Sequence, residues 1–238
     1  MVDRADLARI LDAHRRYLET DRREGARADL RGADLSNTSL VAVDLRRARL
    51  THARLDGTDC SGANLLGANL AGASLRGTRL RNADLSMARL SGAQLTGADL
   101  ADARIERAEM EFALLAESNL SGACLRDADL SGANLERAEL GGADLQGANL
   151  RGANLRQAQL DGADLRGARL GGAILIGASL RRCDLRRAYL RVAKLDGADL
   201  SGADLREAAG LVVAQLESAR RNSHTRLSPS EGQGGDHG

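Results

Sequence analysis

Residues 142–160 read GADLQGANLRGANLRQAQL, in which Leu145, Leu150, Leu155 and Leu160 stand five apart and Ala143, Ala148, Ala153 and Ala158 each precede one by two places. The spacing runs without a break of phase from Leu30 to Leu205: of the 36 positions, 33 are Leu, and the others are Cys60, Ile105 and Met110. Two places earlier, 30 of the 36 residues are Ala, replaced by Thr38, Val43, Thr58, Thr78, Ser118 and Cys183, all small or β-branched. A five-residue period fits neither regular element. Along an α-helix it advances the apolar position by about 500°, so successive leucines drift about 140° around the axis. Along a flat strand it sends them to alternate faces. Both contradictions vanish if the chain bends once per pentapeptide, so that every Leu and every Ala points to one central axis.

The residue two after each Leu supplies the bend. Gly occupies that place 19 times in 36, and Asn37 and Asn82 add two more. These residues tolerate the positive φ at the third position of a type II turn. Where Met87, Phe112, Glu117 or Arg187 stands there, a different turn type is expected. Four right-angle corners close a square, so four pentapeptides make one coil and residues 26–205 make nine. One Leu per five ordered residues is too little burial to hold a coil by itself. Ladder hydrogen bonds and packing between coils must supply the rest, so stability propagates along the axis and open ends would be sticky.

The stretches ADLRGADLS at 28–36, ANLLGANLAGASL at 63–75 and the one at 142–160 resemble the pentapeptide repeat family. The A(D/N)LXX unit of that family folds as a right-handed quadrilateral β-helix; the handedness is implied by the resemblance, whereas the corner argument gives only the square. The expected class is an all-β solenoid of about nine coils with short α-helical caps at both ends. Its parts are a capping helix in 1–25, the repeats in 26–205, a second capping helix in 206–221 and a disordered tail in 222–238. The first helix is read from Leu7, Ile10, Leu11, His14, Tyr17 and Leu18 at helical spacing, with Asp3 as N-cap and His14 as a packing residue. The second follows Gly210 through Leu211, Val212, Leu216 and Ala219, and either covers the last coil or offers an apolar face to a second copy, giving a homodimer. The tail is rich in Ser and Gly.

Composition narrows the function. There is no Trp, one Phe and two Tyr, which argues against an aromatic-lined pocket or a base-stacking surface. The 34 basic and 33 acidic residues give a net charge of +1, which fits neither a globally basic nor a globally acidic molecule. The three cysteines, Cys60, Cys124 and Cys183, form no metal or disulfide spacing, and the charged N-terminal residues leave no apolar stretch for a signal peptide or membrane span. The expectation is a cytoplasmic protein that needs no membrane. No catalytic motif, cofactor or metal site is expected: Cys60 and Cys183 are inward packing residues, and Cys124 is the one outward thiol.

What remains is a surface. The expected function is a non-enzymatic interaction or structural scaffold with an unknown protein partner. The resemblance implies an alternative, because members of the quinolone-resistance and gyrase-inhibitor kind look like duplex DNA to a type II topoisomerase through acidic sides. Position modulo twenty assigns each outward residue to a side. The sides of Leu30, Leu35, Leu40 and Leu45 sum to +2, 0, −2 and 0, so none is DNA-like and DNA gyrase is the disfavoured partner; nucleic-acid binding is not expected either. The Leu45 side alternates an acidic column, including Asp164, Asp184 and Asp204, with a basic one, including Arg166, Arg186 and Arg206, as a self-compensating face would. Two departures stand out. Arg181, Arg182, Arg186, Arg187 and Arg191 cluster within one coil, where an anion or acidic partner could dock, and Phe112, Leu114, Ile174, Ile176, Tyr189 and Val192 take outward positions that are normally polar.

Overall fold

In the repeat at 63–67 each of the five backbone N–H groups has an acceptor. Ala63 donates to the Cys60 carbonyl across the corner at 3.0 Å, Asn64 donates to Val43 of the preceding coil at 3.0 Å, and Leu65 and Gly67 donate to Asp84 and Ser86 of the following coil at 2.7 and 2.9 Å. The fifth N–H, on Leu66, reaches Oδ1 of Asn64 at 3.2 Å. A carboxylate or amide oxygen just before the leucine thus satisfies the one donor that the ladder leaves over, which is the physical reason for Asp or Asn at that place. The same bond joins Ser36 to Asp34, Ser86 to Asp84, Ser121 to Asn119 and Ser201 to Asp199. Where Ser74 precedes the leucine, Asp56 of the preceding coil substitutes, accepting from Oγ of Ser74 at 2.6 Å and from the N–H of Arg76 at 3.0 Å.

The structure, a computed structural model, describes residues 3–21 and 23–228. Parallel bridges join each residue before a leucine to the one twenty places on, without a slip from Asp29 and Arg49 to Tyr189 and Ala209. Four pentapeptides therefore complete a coil, and the fold is a right-handed quadrilateral β-helix whose four sides are named here by their first leucines, Leu30, Leu35, Leu40 and Leu45. The ladder consists of isolated bridges rather than long strands because a corner interrupts each side.

All corner residues from Gly32 to Glu207 have φ between 52° and 73°. The different turn expected at Met87, Phe112, Glu117 and Arg187 is not found: their φ values are 57°, 57°, 59° and 61°, the same corner as the glycines. The physical reason is the ladder. Coils on both sides fix the register, and the residue at the bend follows it at a local cost of about 1–2 kcal/mol when it is not Gly. A corner glycine can serve a second purpose. The Phe112 ring lies over Gly132, where a Cβ would stand 2.6 Å from the ring.

Inside the square the leucines and nearly all the alanines are buried. Thr58, Thr78 and Ser118, buried in alanine positions, donate to the carbonyls of Leu35, Leu55 and Leu115 at 2.8, 2.7 and 2.7 Å, so no hydroxyl is stranded there. Cys60 and Cys183 are buried, and burial pushes both thiols up to about 12.

Two different devices close the ends. Helix α1, Arg4–Glu19, is capped by the Asp3 side chain, which accepts from the Asp6 N–H at 2.7 Å, and it rests Leu7, Ile10 and Leu11 on the first coil. His14 is fully buried beneath it and accepts the Ala28 N–H on Nδ1 at 3.1 Å, which joins the helix to the first repeat. At the other end α2, Val213–Ser218, is shorter than the span expected for it; it buries Leu216, while Leu211 and Ala219 on either side of it pack on the core. Gln215 holds it by donating from Nε2 to the Leu190 and Ala193 carbonyls at 3.0 and 2.7 Å.

The chain then resumes the ladder. Arg220 bridges Asp199, Arg226 bridges Asp204, and Leu227 packs on the core. The disorder expected from 222 onward is therefore not found over 222–228, where the unsatisfied edge of the last coil recruits backbone. The rest of that expectation, 229–238, lies outside the described residues.

Two outcomes follow from these bonds. Asp84 accepts the Ser86 N–H at 2.9 Å with no ion pair of its own among the described residues. Asp84→Asn, which keeps the acceptor, should leave urea stability within a few tenths of a kcal/mol, whereas Asp84→Ala should cost about 1 kcal/mol; equal costs would refute the role assigned to this position. Burial lowers the His14 pKa, opposed by the Asp44 carboxylate, with Arg27 and Arg46 also facing the ring. The unfolded chain then binds more protons than the folded one below about pH 6.5, so stability should fall as pH drops from 7 to 5. That slope should disappear in His14→Gln, and a melting temperature that is flat over this range in the parent would overturn the assignment.

Candidate interaction surface

On the Leu45 side Asp44, Asp164, Asp184 and Asp204 each accept the N–H of the arginine two places on, and that arginine also shares the carboxylate. Arg46, Arg166, Arg186 and Arg206 lie 2.7, 2.6, 2.6 and 2.5 Å from Asp44, Asp164, Asp184 and Asp204. The guanidinium beside Asp184, and likewise beside Asp204, holds each carboxyl below the usual carboxylate range. Asp144 is paired with Arg126 of the preceding coil at 2.6 Å, so of the acidic column only Asp84 lacks an ion pair among the described residues.

The five arginines singled out in the sequence do not form one site. Arg181 is tied to Asp199 at 2.6 Å, Arg186 to Asp184 at 2.6 Å and Arg187 to Glu207 at 2.7 Å. The Ser201 hydroxyl and the Arg181 guanidinium together hold Asp199 at about 2. Arg182 and Arg191 make no ion pair among the described residues, but Arg182 sits at the corner between the Leu40 and Leu45 sides and Arg191 on the Leu30 side. The groove beside Arg182, of about 930 Å³, is of mixed sign: Asp161, Asp184 and Asp204 line it with Arg181, Arg182 and Arg226. Sequence reading alone did not anticipate Arg226 and His224 there, because they reach it only through the resumed ladder at 219–228.

Of the outward apolar residues, Phe112 and Val192 are 69% and 71% exposed, and Leu114 is exposed beside Phe112. Ile174, Ile176 and Tyr189 are half-buried. Cys124 is half-buried and donates to Oε1 of Glu106 at 3.2 Å; burial raises its pKa. Among the described residues no three His, Cys, Asp or Glu side chains form a group that could hold a metal ion, and no described helix is long and apolar enough to cross a membrane.

Pentapeptide repeats match residues 26–59, 58–97, 93–132, 133–172 and 173–208. No curated protein sequence matches the chain. Among solved structures it is similar to HetL, a pentapeptide repeat protein involved in heterocyst differentiation regulation in the cyanobacterium Nostoc sp. strain PCC 7120, at 37% identity over 86% of this chain and 92% of that one, with a TM-score of 0.55. A pentapeptide repeat protein of the Arabidopsis thaliana thylakoid lumen is 33% identical over 44% of this chain and 70% of its own, with a TM-score of 0.34. QnrB1, a plasmid-mediated fluoroquinolone resistance protein, is 19% identical over 82% of this chain and 93% of its own, with a TM-score of 0.33. A repeat match that spans the whole coil stack, joined to a relative alike over most of both chains, places this chain in the pentapeptide repeat family.

Proposed function

We propose that the chain is a non-enzymatic interaction scaffold whose protein partner binds the outside of the rod. The observation that carries this reading is the filled axis: leucine and alanine occupy the interior of every coil, so a partner has only the flanks and the two ends to address. Catalysis needs polar groups that converge in a water-shielded place; along the flanks the polar groups diverge from convex sides, and the groove beside Arg182 is lined mostly by exposed residues. The free thiols of Cys60, Cys124 and Cys183 fit a reducing cytoplasm. The C-terminal helix fits capping better than a homodimer contact, since Leu216 is already buried within the single chain and Leu211 and Ala219, which flank the helix, pack on its core.

The topoisomerase reading is the weaker one because the acidic column of the Leu45 side is neutralised by its arginines. Two experiments separate the readings. The immobilised full chain should retain from a lysate of its host a protein that stays with it in stoichiometric amount through size exclusion, and failure to retain any would sink the scaffold reading. Purified DNA gyrase should show unchanged supercoiling and unchanged quinolone poisoning at micromolar concentrations of the chain; inhibition or protection would reverse the order of the two.

A further inference from the structure

The near-zero side totals conceal a division along the axis. The last acidic residue of the Leu30 side is Asp129, after Asp29, Glu109 and Glu111; beyond it, over the last three coils, the side carries Arg151, Arg169 and Arg191 and no acid. Around the next corner the Leu35 side adds Arg156 and Lys194, with Asp196 as its one acid beyond Glu136. These five cations are exposed. None makes an ion pair among the described residues, whereas Arg166, Arg181, Arg186, Arg187 and Arg206 in the same part of the rod all do.

Apolar surface lies between the cations. The bridges Asn149 to Arg169 to Tyr189 and Asn154 to Ile174 to Lys194 place Tyr189 and Ile174 on neighbouring coils, on the two sides of one corner. Gly152 and Gly172 leave that corner bare, and exposed Val192 ends it. One edge of the Tyr189 ring lies beside Gly171, 3.4 Å from where a Cβ would stand. Beyond, Gly210 lies against Arg191, and exposed Val212 and Val213 follow. Arg151 and Arg191 are two coils apart, about 10 Å along the axis.

We propose that this face binds an acidic protein segment whose apolar side chains seat on Tyr189, Ile174 and Val192 while its carboxylates engage Arg151, Arg169 and Arg191. The proposal rests on the scaffold reading and gives it a location and a partner chemistry. Charge complementarity selects the occupant: elsewhere on the rod acidic neighbours occupy most guanidinium groups, and here that acidic component is missing. The apolar centre selects protein over nucleic acid. A single-stranded nucleic acid needs an aromatic platform for successive bases, and one tyrosine among aliphatic residues does not make one. Tyr and Arg around an apolar centre are the composition of a protein interface core.

The test uses fluorescence anisotropy with the full chain and three labelled probes: a 20-residue peptide of repeating Glu-Leu-Asp-Phe, polyglutamate of equal length, and single-stranded DNA of about the same charge. The peptide should bind at micromolar concentration in 50 mM salt and at least tenfold more tightly than either other probe. Its affinity should fall at least tenfold when Arg151→Glu, Arg169→Glu and Arg191→Glu are combined, and by a smaller factor in the corresponding Gln variant. Unchanged far-ultraviolet circular dichroism verifies the fold of both variants. Absence of peptide binding, equal binding by parent and Glu variant, or tighter binding of DNA overturns the proposal. Repeating the lysate capture with the Glu variant separates the two levels: a partner retained equally by parent and variant refutes this face and leaves the scaffold reading standing, whereas a parent that retains nothing refutes the scaffold reading itself.

Discussion

Five backbone N–H groups must find acceptors in every pentapeptide, and the way they do so determines nearly everything else in this molecule. Three donate along the axis to neighbouring coils, one crosses the corner, and one is taken by the side chain before the leucine, as at 63–67. Buried or half-buried donors left over would cost more than any single contact gains, so the arrangement is closely constrained. It fixes the inward direction of Leu and Ala, the bend at the second residue after Leu, and the acidic or amide residue that precedes Leu. Only two positions per repeat escape it, and one of these must adopt a positive φ.

The same constraint creates the problem of the ends. A coil in mid-stack is satisfied from above and below, while a terminal coil shows a row of unpaired backbone groups beside an apolar section. At the N-terminus the solution is a helix tied down through His14 and Ala28. At the C-terminus a single turn of helix supplies Leu216, and then the chain itself resumes pairing at Arg220 and Arg226 with one and two residues of slippage from the twenty-residue register. Gly25 shows how tight the first junction is: its φ is 74°, and a Cβ there would stand 2.1 Å from the Ala13 carbonyl oxygen.

The square, its register and its contents were legible in the sequence because they depend on a period, and a period survives individual exceptions such as Cys60 or Met110. The uniform corner was not. Reading Met87 or Phe112 by its own turn preference neglects that neighbouring coils impose the backbone, so tertiary context outweighs local propensity by the ladder bonds that a different turn would break. The return of the chain at 219–228 was hidden for a related reason: NSHTRL has no five-residue period and carries turn-forming residues, and it is ordered by the edge it meets rather than by its own pattern. Of the arginine cluster, the sequence located the residues but not their partners, since Asp199 and Glu207 lie 18 and 20 places away and become neighbours only through the coil.

Charge on such a rod has to be read both around and along it. Duplex DNA carries a charge for every ~1.7 Å of axis, and coils recur about every 4.8 Å, so a flank that imitates DNA needs roughly three uncompensated acids per coil. The Leu45 side offers one per coil from Asp144 through Asp204, and that one is already committed to closing its own turn and to an arginine fork. An aspartate that the fold requires is a poor source of free negative charge, because the backbone N–H it accepts and the guanidinium beside it both consume its potential. Free charge must come instead from the two unconstrained positions of each repeat or from positions before the leucine that are not aspartate. In this chain those places become cationic on the Leu30 side beyond Asp129, at Arg151, Arg169 and Arg191. The repeat thus sorts its charged residues into those that build the coil and those left to meet a partner, and here the second group is basic.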